Sequence, residues 1–207
     1  MPLVLIILIL VNVLVSYKGI TDTSFFRKYE FHIGSIRAGE QYRMFTSAFL
    51  HADYMHLGFN MLTLYFFAPV VIYTMGLLSF LLVYFVSMLC GSLLTLYFHK
   101  NDYSYRAIGA SGAVMGVLFA SILIDPYRQI NFIPGFIFGI IYLLFTIYGM
   151  KTKAGNIGHT AHFGGAIGGY IITLSRMPYL MYDNTLVVIV IAVPIVILLI
   201  MAKAGKL

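Results

Sequence analysis

The chain has 207 residues, of which 61% are hydrophobic and only 10% are charged. Soluble domains contain roughly 45–50% apolar and about 25% charged residues, so this composition excludes an ordinary soluble globular domain. The net charge of +6 is spread along the chain rather than gathered into a basic stripe, which argues against nucleic-acid binding.

Seven apolar stretches, separated by polar, glycine or proline residues, are the candidate membrane spans. In chain order they cover 2–17, 55–74, 77–98, 110–124, 133–149, 159–175 and 185–202. Since a spanning helix needs about 20 residues, the sequence predicts an all-α, polytopic membrane helix bundle with no room for a soluble domain. The last stretch contains Pro194 and almost no polar side chain, which predicts a peripheral, lipid-facing helix.

The longest connection, from Lys18 to Tyr54, mixes aromatic with basic residues. This composition suits a segment that lies in the lipid headgroup layer. A plain solvated loop is the alternative.

Three spans begin with polar residues, which are costly to bury in lipid and are therefore candidates for function. They are HADYMHLGFNM at 51–61, GASG at 109–112 and GHTAHFGG at 158–165, which open the second, fourth and sixth spans. Because alternate spans run in the same direction, these starts are expected at one face of the membrane. His56 and Asn60 share one helical face, and the partial positive charge of helix starts suits a site where negative charge develops.

Small residues recur every four positions on two of these spans. They are Gly112, Gly116 and Ala120 on the fourth span, and Gly165 and Gly169 on the sixth. Such faces allow backbones to approach closely, and packing them would bring Ser111 near His162. Alone, a serine in a span usually bonds to its own backbone, but the flanking glycines expose this hydroxyl.

In these motifs and their order, the chain resembles the rhomboid family of intramembrane serine proteases, over roughly Gly39 to Leu174. Tyr42-Arg43 resembles the family's Trp-Arg element in the first loop, and HADYMHLGFNM resembles its His-x4-His-x3-Asn stretch. GASG resembles the G-x-S-G nucleophile motif, and AHFGG resembles the A-H-x-G-G motif that carries a histidine.

The resemblance implies that Ser111 is the nucleophile and His162 its general base, a dyad without a third carboxylate. It also implies an oxyanion hole formed by His56, Asn60 and the Ser111 backbone N–H. A serine hydroxyl needs an adjacent base to become a good nucleophile, and positioned donors stabilise the tetrahedral oxyanion. The supporting residues would be Gly109, Gly112, Tyr42, Arg43, Met115 and Gly165.

Two positions depart from the family pattern. Tyr42 stands where tryptophan is common, which keeps an aromatic anchor in the loop. Met115 stands where the family often has an aromatic ring that packs on the base. Because a thioether contacts an imidazole more loosely, the orientation of His162 is the expected weak point.

The resemblance further implies a six-helix protease core at 1–176, followed at 177–207 by a short loop and an additional transmembrane helix. Its substrates would be single-span membrane proteins, its only other partner the lipid bilayer, and it would need no cofactor or metal. The fifth span would give lateral access. The loop after it, with Gly155 and Gly158 beside Lys151 and Lys153, would form a mobile cap.

Membrane orientation is the point on which charge and resemblance disagree. The face with the polar span starts carries Lys18, Arg27, Lys28, Arg37, Arg43, Lys100, Arg106, Lys151, Lys153, Lys203 and Lys206, and the other face carries Arg128 and Arg176. The positive-inside rule would therefore place the site in the cytoplasm. The resemblance implies a cell-membrane protein whose site opens to the extracytoplasmic side, and we follow it here because several of these cations lie in the loop expected to contact headgroups.

Two other functions are compatible with parts of the sequence. The first is a metal or proton transporter with a relay of His51, His56, His159 and His162, which would need acidic partners that the predicted spans lack. The second is a non-proteolytic rhomboid-like protein that binds membrane helices. Such relatives lack the serine or the histidine, whereas this chain has both.

Overall fold

The computed structural model describes residues 1–152 and 158–206, and over these ranges the chain is a helical bundle. Its helices are α1 Leu3–Thr21, α2 Thr23–Tyr29, α3 Ile33–Arg37, α4 Arg43–Thr46, α5 Tyr54–Met75, α6 Leu77–His99, α7 Ser111–Ile124, α8 Gly135–Thr152, α9 His159–Arg176, α10 Leu180–Asp183 and α11 Thr185–Lys203. Two antiparallel pairs of very short strands accompany them: β1 Phe31–His32 with β2 Arg106–Ala107, and β3 Gln129–Ile130 with β4 Ile133–Pro134. The predicted all-α, polytopic bundle is confirmed.

All seven predicted spans occur as helices. Within the described ranges, α1, α5, α6, α8 and α11 are long and apolar enough to cross a membrane. The exceptions are α9, which is rich in glycine and histidine, and α7, which has 14 residues. At 1.5 Å per residue α7 rises about 21 Å, against about 30 Å for the hydrocarbon layer. The protein is an integral, multi-pass membrane protein whose central helix α7 is too short to span the bilayer by itself.

Two predicted span boundaries are wrong, each for a local reason. Helix α1 continues past residue 17 to Thr21, since a helix can include polar residues once it leaves the apolar layer, and Lys18 pairs with Asp22 one turn later at 2.9 Å. The fifth span does not begin at 133, since β4 occupies that position and α8 starts after it. Asn131 and Phe132 both have positive φ, as the two-residue turn of this β3–β4 hairpin requires.

The centre of the bundle is built on direct backbone contact between helices. A Cβ atom on Gly165 of α9 would lie 1.9 Å from the carbonyl oxygen of Gly112 in α7. One on Gly169 would lie 2.2 Å from the carbonyl oxygen of Gly116, so the predicted small-residue packing is confirmed. The sequence reasoning missed that α6 joins the same contact, where a Cβ on Gly164 would approach the Cys90 carbonyl oxygen to 2.5 Å.

The remaining spans surround this centre. Helix α5 packs on α6 and α7, while α8 packs on α7 and α9. Helix α11 packs on the outside of α8 and is tied to α9 by a 3.0 Å bond from the Tyr170 hydroxyl to the Val188 carbonyl oxygen. The predicted peripheral position of the last span is confirmed.

The long connection after α1 is folded, so the alternative of a plain loop is wrong. It forms α2, β1, α3, α4 and a short 3-10 turn at Ser47–Phe49. Strand β1 pairs with β2, which precedes α7, and the Gly34 N–H donates to the Tyr103 carbonyl oxygen at 3.1 Å. This connection therefore supports the segment that leads into α7. Of the predicted cap, Gly155 and Lys153 lie outside the described residues.

Candidate active site

A cavity of about 880 Å³ opens at the end of the bundle where α5, α7 and α9 begin. Its lining includes Ser111, His162, His56, Asn60 and Met115. It also includes the segment 105–108, which runs through β2 toward α7. The structure thus brings the three polar span starts together around one space.

Ser111 is the first residue of α7 and is partly exposed to the cavity. Its backbone N–H belongs to the first turn of the helix, where amide hydrogens have no acceptor within the helix. The next residue, Gly112, touches α9: a Cβ there would lie 3.2 Å from the carbonyl oxygen of Ala161. Because Ala161 precedes His162, the serine and the histidine extend from adjoining points of the contact between α7 and α9.

No hydrogen bond joins Ser111 and His162 in the described part of the chain. Catalytic hydrogen bonds are often long before substrate binds and shorten only in the substrate complex. Because the backbones of the two residues adjoin, rotation of their side chains decides whether the Ser111 hydroxyl reaches the His162 ring.

The base candidate His162 has a hydrogen-bond partner from another helix. Its Nδ1 lies 2.7 Å from the hydroxyl oxygen of Tyr142 in α8. The two rings are nearly parallel, at an angle of 26° with centroids 6.3 Å apart. The sequence reasoning missed Tyr142, because its position in a run of aromatic and apolar residues gives no signal that distinguishes it from a lipid-facing side chain.

His56 and Asn60 are held by the first turns of α5. The Asp53 carboxylate caps the helix by accepting the His56 N–H at 2.8 Å, and the Asn60 side-chain amide donates to the His56 carbonyl oxygen at 3.1 Å. Both side chains lie against Gly109, where a Cβ would come within 2.7 Å of the His56 ring and 3.9 Å of the Asn60 amide nitrogen. Gly109 also has a φ of +112°, which L side chains rarely adopt.

The fully buried His51 supports the turn before Ser111. Its Nδ1 lies 2.7 Å from the Ser16 hydroxyl of α1, and its Nε2 accepts the Ala110 N–H at 3.3 Å. Burial, assisted by the nearby His56, lowers the pKa of His51 to about 3. The imidazole is therefore neutral near pH 7, as an acceptor must be.

Tyr42 and Arg43 do not line the cavity. The buried Arg43 guanidinium donates to the carbonyl oxygens of Arg27 and Glu30, at 2.8 and 3.0 Å. The Glu30 carboxylate in turn pairs with Arg106 of β2. Arg43 therefore holds together the connection that supports β2, and Tyr42 lies exposed on the outside of it.

Comparison with known proteins identifies the family. The Rhomboid domain matches residues 38–179 of the chain. The chain belongs to the rhomboid family. This match contains every residue assigned above to the dyad and the oxyanion hole.

Several curated rhomboid proteins are similar to this one. The rhomboid protease GluP of Bacillus subtilis is 32% identical over 135 residues, which cover 65% of this chain and 26% of GluP. YdcA of the same bacterium is 32% identical over 143 residues, 65% of this chain and 67% of YdcA. The mitochondrial Rhomboid protein 1 of Saccharomyces cerevisiae is 30% identical over 134 residues, 60% of this chain and 39% of its own length. This rhomboid therefore spans only about a quarter of GluP.

His159 is the other histidine at the start of α9, and in this rhomboid it is a packing residue. It is buried in the first turn of α9, where its ring packs edge-on against Phe145 with centroids 5.7 Å apart. A Cβ on Gly149 of α8 would lie 2.3 Å from that ring. His159 therefore joins α8 to α9 beside the cavity rather than lining it.

Proposed function

We propose that this rhomboid is an intramembrane serine endopeptidase that cleaves transmembrane segments of other membrane proteins. The observation that carries the proposal is the cavity shared by Ser111, His162, His56 and Asn60. A nucleophile, a base and two hydrogen-bond donors from separate helices around one space are the parts that acyl transfer requires.

In the first half of the reaction, His162 Nε2 accepts the Ser111 proton while Ser111 Oγ attacks the scissile carbonyl carbon. The resulting imidazolium then gives that proton to the leaving amine, and an acyl-enzyme ester remains on Ser111. In the second half, a water molecule from the cavity loses a proton to His162 and attacks the ester. Collapse of this second tetrahedral intermediate breaks the ester bond to Ser111 Oγ and releases the new carboxyl end of the substrate, while His162 returns the proton to Ser111 and restores the enzyme.

The negative charge of each tetrahedral intermediate develops beside the start of α7. The Ser111 N–H, with the side chains of His56 and Asn60, supplies the donors of the oxyanion hole. The partial positive charge of the helix N-terminus adds to them. Loss of one such donor typically costs about 3–4 kcal/mol of transition-state stabilisation.

The substrates we propose are single-span membrane proteins that enter from the bilayer between α5 and α8. Helix α5 packs mainly on α7 and α6, and α8 packs mainly on α11 and α9, so neither helix is held chiefly by the other. A disulfide between cysteines introduced on α5 and α8 is expected to block cleavage of a transmembrane reporter. Cleavage that continues at the same rate with the cross-link in place would remove this lateral route.

We further propose that the protein lies in the cell membrane with the cavity on the extracytoplasmic side, and that 1–176 forms the protease core. Ser104 lies exposed on the cavity side, and Phe132 is 99% exposed on the hairpin at the other end. In a Cys90→Ala background, an impermeant thiol reagent is expected to label Ser104→Cys in intact cells and Phe132→Cys only after permeabilisation. The reverse pattern would place the site in the cytoplasm.

The proposed activity is tested with Ser111→Ala and its matched control Ser121→Ala, a buried serine further along α7. A fluorophosphonate probe is expected to label the wild type and Ser121→Ala but not Ser111→Ala. Cleavage of a tagged single-span reporter should follow the same pattern, with equal membrane insertion of all three proteins. Equal labelling and cleavage by Ser111→Ala would refute the assignment of Ser111 as nucleophile, whereas a wild type that is neither labelled nor active would favour the helix-binding role.

A further inference from the structure

We infer that Tyr142 is a positioning residue for the base: its hydroxyl oxygen accepts the Nδ1 proton of His162 and so fixes the tautomer that leaves Nε2 free to take the Ser111 proton. This inference rests on the proposed serine protease function. It assigns to a neutral phenol the place that a carboxylate occupies in a Ser-His-Asp triad.

The contact between Tyr142 and His162 is part of a continuous packing between α8 and α9. Two turns along the same face of α8, Gly149 receives the His159 ring, and one turn before Tyr142 the Phe138 ring stacks on it with centroids 6.0 Å apart. The phenol is therefore confined between Phe138 and His162. A hydroxyl held at 2.7 Å from Nδ1 is a built contact rather than a chance orientation of a lipid-facing side chain.

The direction of the hydrogen bond follows from the chemistry of the base. A neutral imidazole carries one proton, so if Nε2 is to accept from Ser111, that proton must lie on Nδ1. Nδ1–H then needs an acceptor, and the Tyr142 oxygen is its partner in the described structure. When His162 becomes an imidazolium, the same bond has a charged donor and becomes stronger.

Tyr142 also compensates for the thioether at Met115. Met115 lines the cavity beside His162 but offers neither a flat ring face nor a strong acceptor. Tyr142 supplies both from a different helix. The orientation of His162 thus depends on the position of α8.

The test uses the full chain in liposomes and compares the wild type with Tyr142→Phe. Tyr148→Phe is the matched control, because Tyr148 lies on the same helix with 62% of its surface exposed. This bond has a charged donor only once His162 has taken the Ser111 proton, so its removal weakens the transition state more than the substrate complex. We therefore expect kcat and the fluorophosphonate labelling rate of Ser111 to fall about 10- to 100-fold in Tyr142→Phe, with KM nearly unchanged. Tyr148→Phe should match the wild type.

Nitrogen NMR of His162 gives a readout that a purely structural role would not move. In the wild type the proton is expected on Nδ1, and in Tyr142→Phe it should be distributed over both nitrogens. A wild-type His162 protonated on Nε2 overturns the inference even if the variant fails to fold. Full labelling activity in Tyr142→Phe overturns it while leaving the proposed function intact, whereas equal labelling of the wild type and Ser111→Ala overturns both.

Discussion

Gly165→Ala is the sharpest test of how the fold places the proposed dyad of Ser111 and His162. It adds a single methyl group where α9 touches α7, directly against the carbonyl oxygen of Gly112. That carbonyl belongs to the residue after Ser111, so any separation of the two helices at this point displaces the proposed nucleophile.

The structure sets the size of the effect. The added carbon would lie 1.9 Å from the Gly112 oxygen and 2.7 Å from its carbon, and all the nearest atoms are backbone. Restoring an ordinary contact of 3.4 Å requires the helices to part by about 1.5 Å, because close-packed interiors cannot absorb the methyl group elsewhere. Overpacking of this kind costs about 1–3 kcal/mol of folding free energy. A misplacement of about 1 Å at the chemistry costs about 100-fold in rate.

The assay measures reporter cleavage and the thermal midpoint of the reconstituted protein side by side. The matched control is Gly58→Ala on α5, where an added Cβ meets nothing within 4 Å. We expect the kcat of Gly165→Ala to fall at least 100-fold and its thermal midpoint to fall by several degrees. Gly58→Ala should retain the wild-type kcat and thermal midpoint. If Gly165→Ala retained wild-type activity and stability, the argument that backbone contact between α7 and α9 sets the dyad would be wrong.

Two further predictions concern the segment before Ser111. Gly109→Ala should abolish cleavage without changing membrane insertion. Its methyl group would lie 2.7 Å from the His56 ring, and the φ of +112° at this position is strained for alanine. Wild-type cleavage in that variant would contradict the role given to Gly109. Burial depresses the pKa of His51 to about 3 in the folded protein, against about 6.5 when unfolded. Since the unfolded chain binds the extra proton, the stability that a neutral His51 gives is present above pH 6.5 and is lost as the pH falls toward 3. The thermal midpoint of the wild type should therefore fall more steeply than that of His51→Gln over this range, and parallel curves would refute the linkage.

The sequence predicted the spans well because lipid imposes a simple rule. Each crossing segment must be apolar and helical, so seven apolar stretches became seven helices. Boundaries were less accurate where a helix continues through polar residues, as α1 does through Lys18 to Thr21. The folded connection after α1 was not predicted in detail, since its strand pairs with residues more than seventy positions away.

Part of the candidate site was accessible from sequence because its geometry depends on short-range spacing. The short motif at 109–112 contains Ser111 together with Gly109 and Gly112. The four-residue repeat of small residues predicted that the fourth and sixth spans, α7 and α9, pack together. The contributions of Tyr142 and His51 were not predicted in the same detail. Each acts through a partner on a distant segment. Tyr142 lies in no local pattern that distinguishes it from a lipid-facing side chain, and the motif that contains His51 does not reveal its contacts with Ser16 and Ala110.

The distribution of close contacts divides the site into two parts. Ser111 and His162 lie on α7 and α9, which meet through backbone atoms and cannot separate without a large loss of packing. The oxyanion-hole candidates lie on α5, and Tyr142 lies on α8. If substrate enters between α5 and α8, one of these helices must move while the dyad helices stay fixed. Movement of α5 would displace His56 and Asn60, and movement of α8 would withdraw Tyr142 from His162. On the proposed mechanism, we therefore expect full activity only after the helices have closed around the substrate.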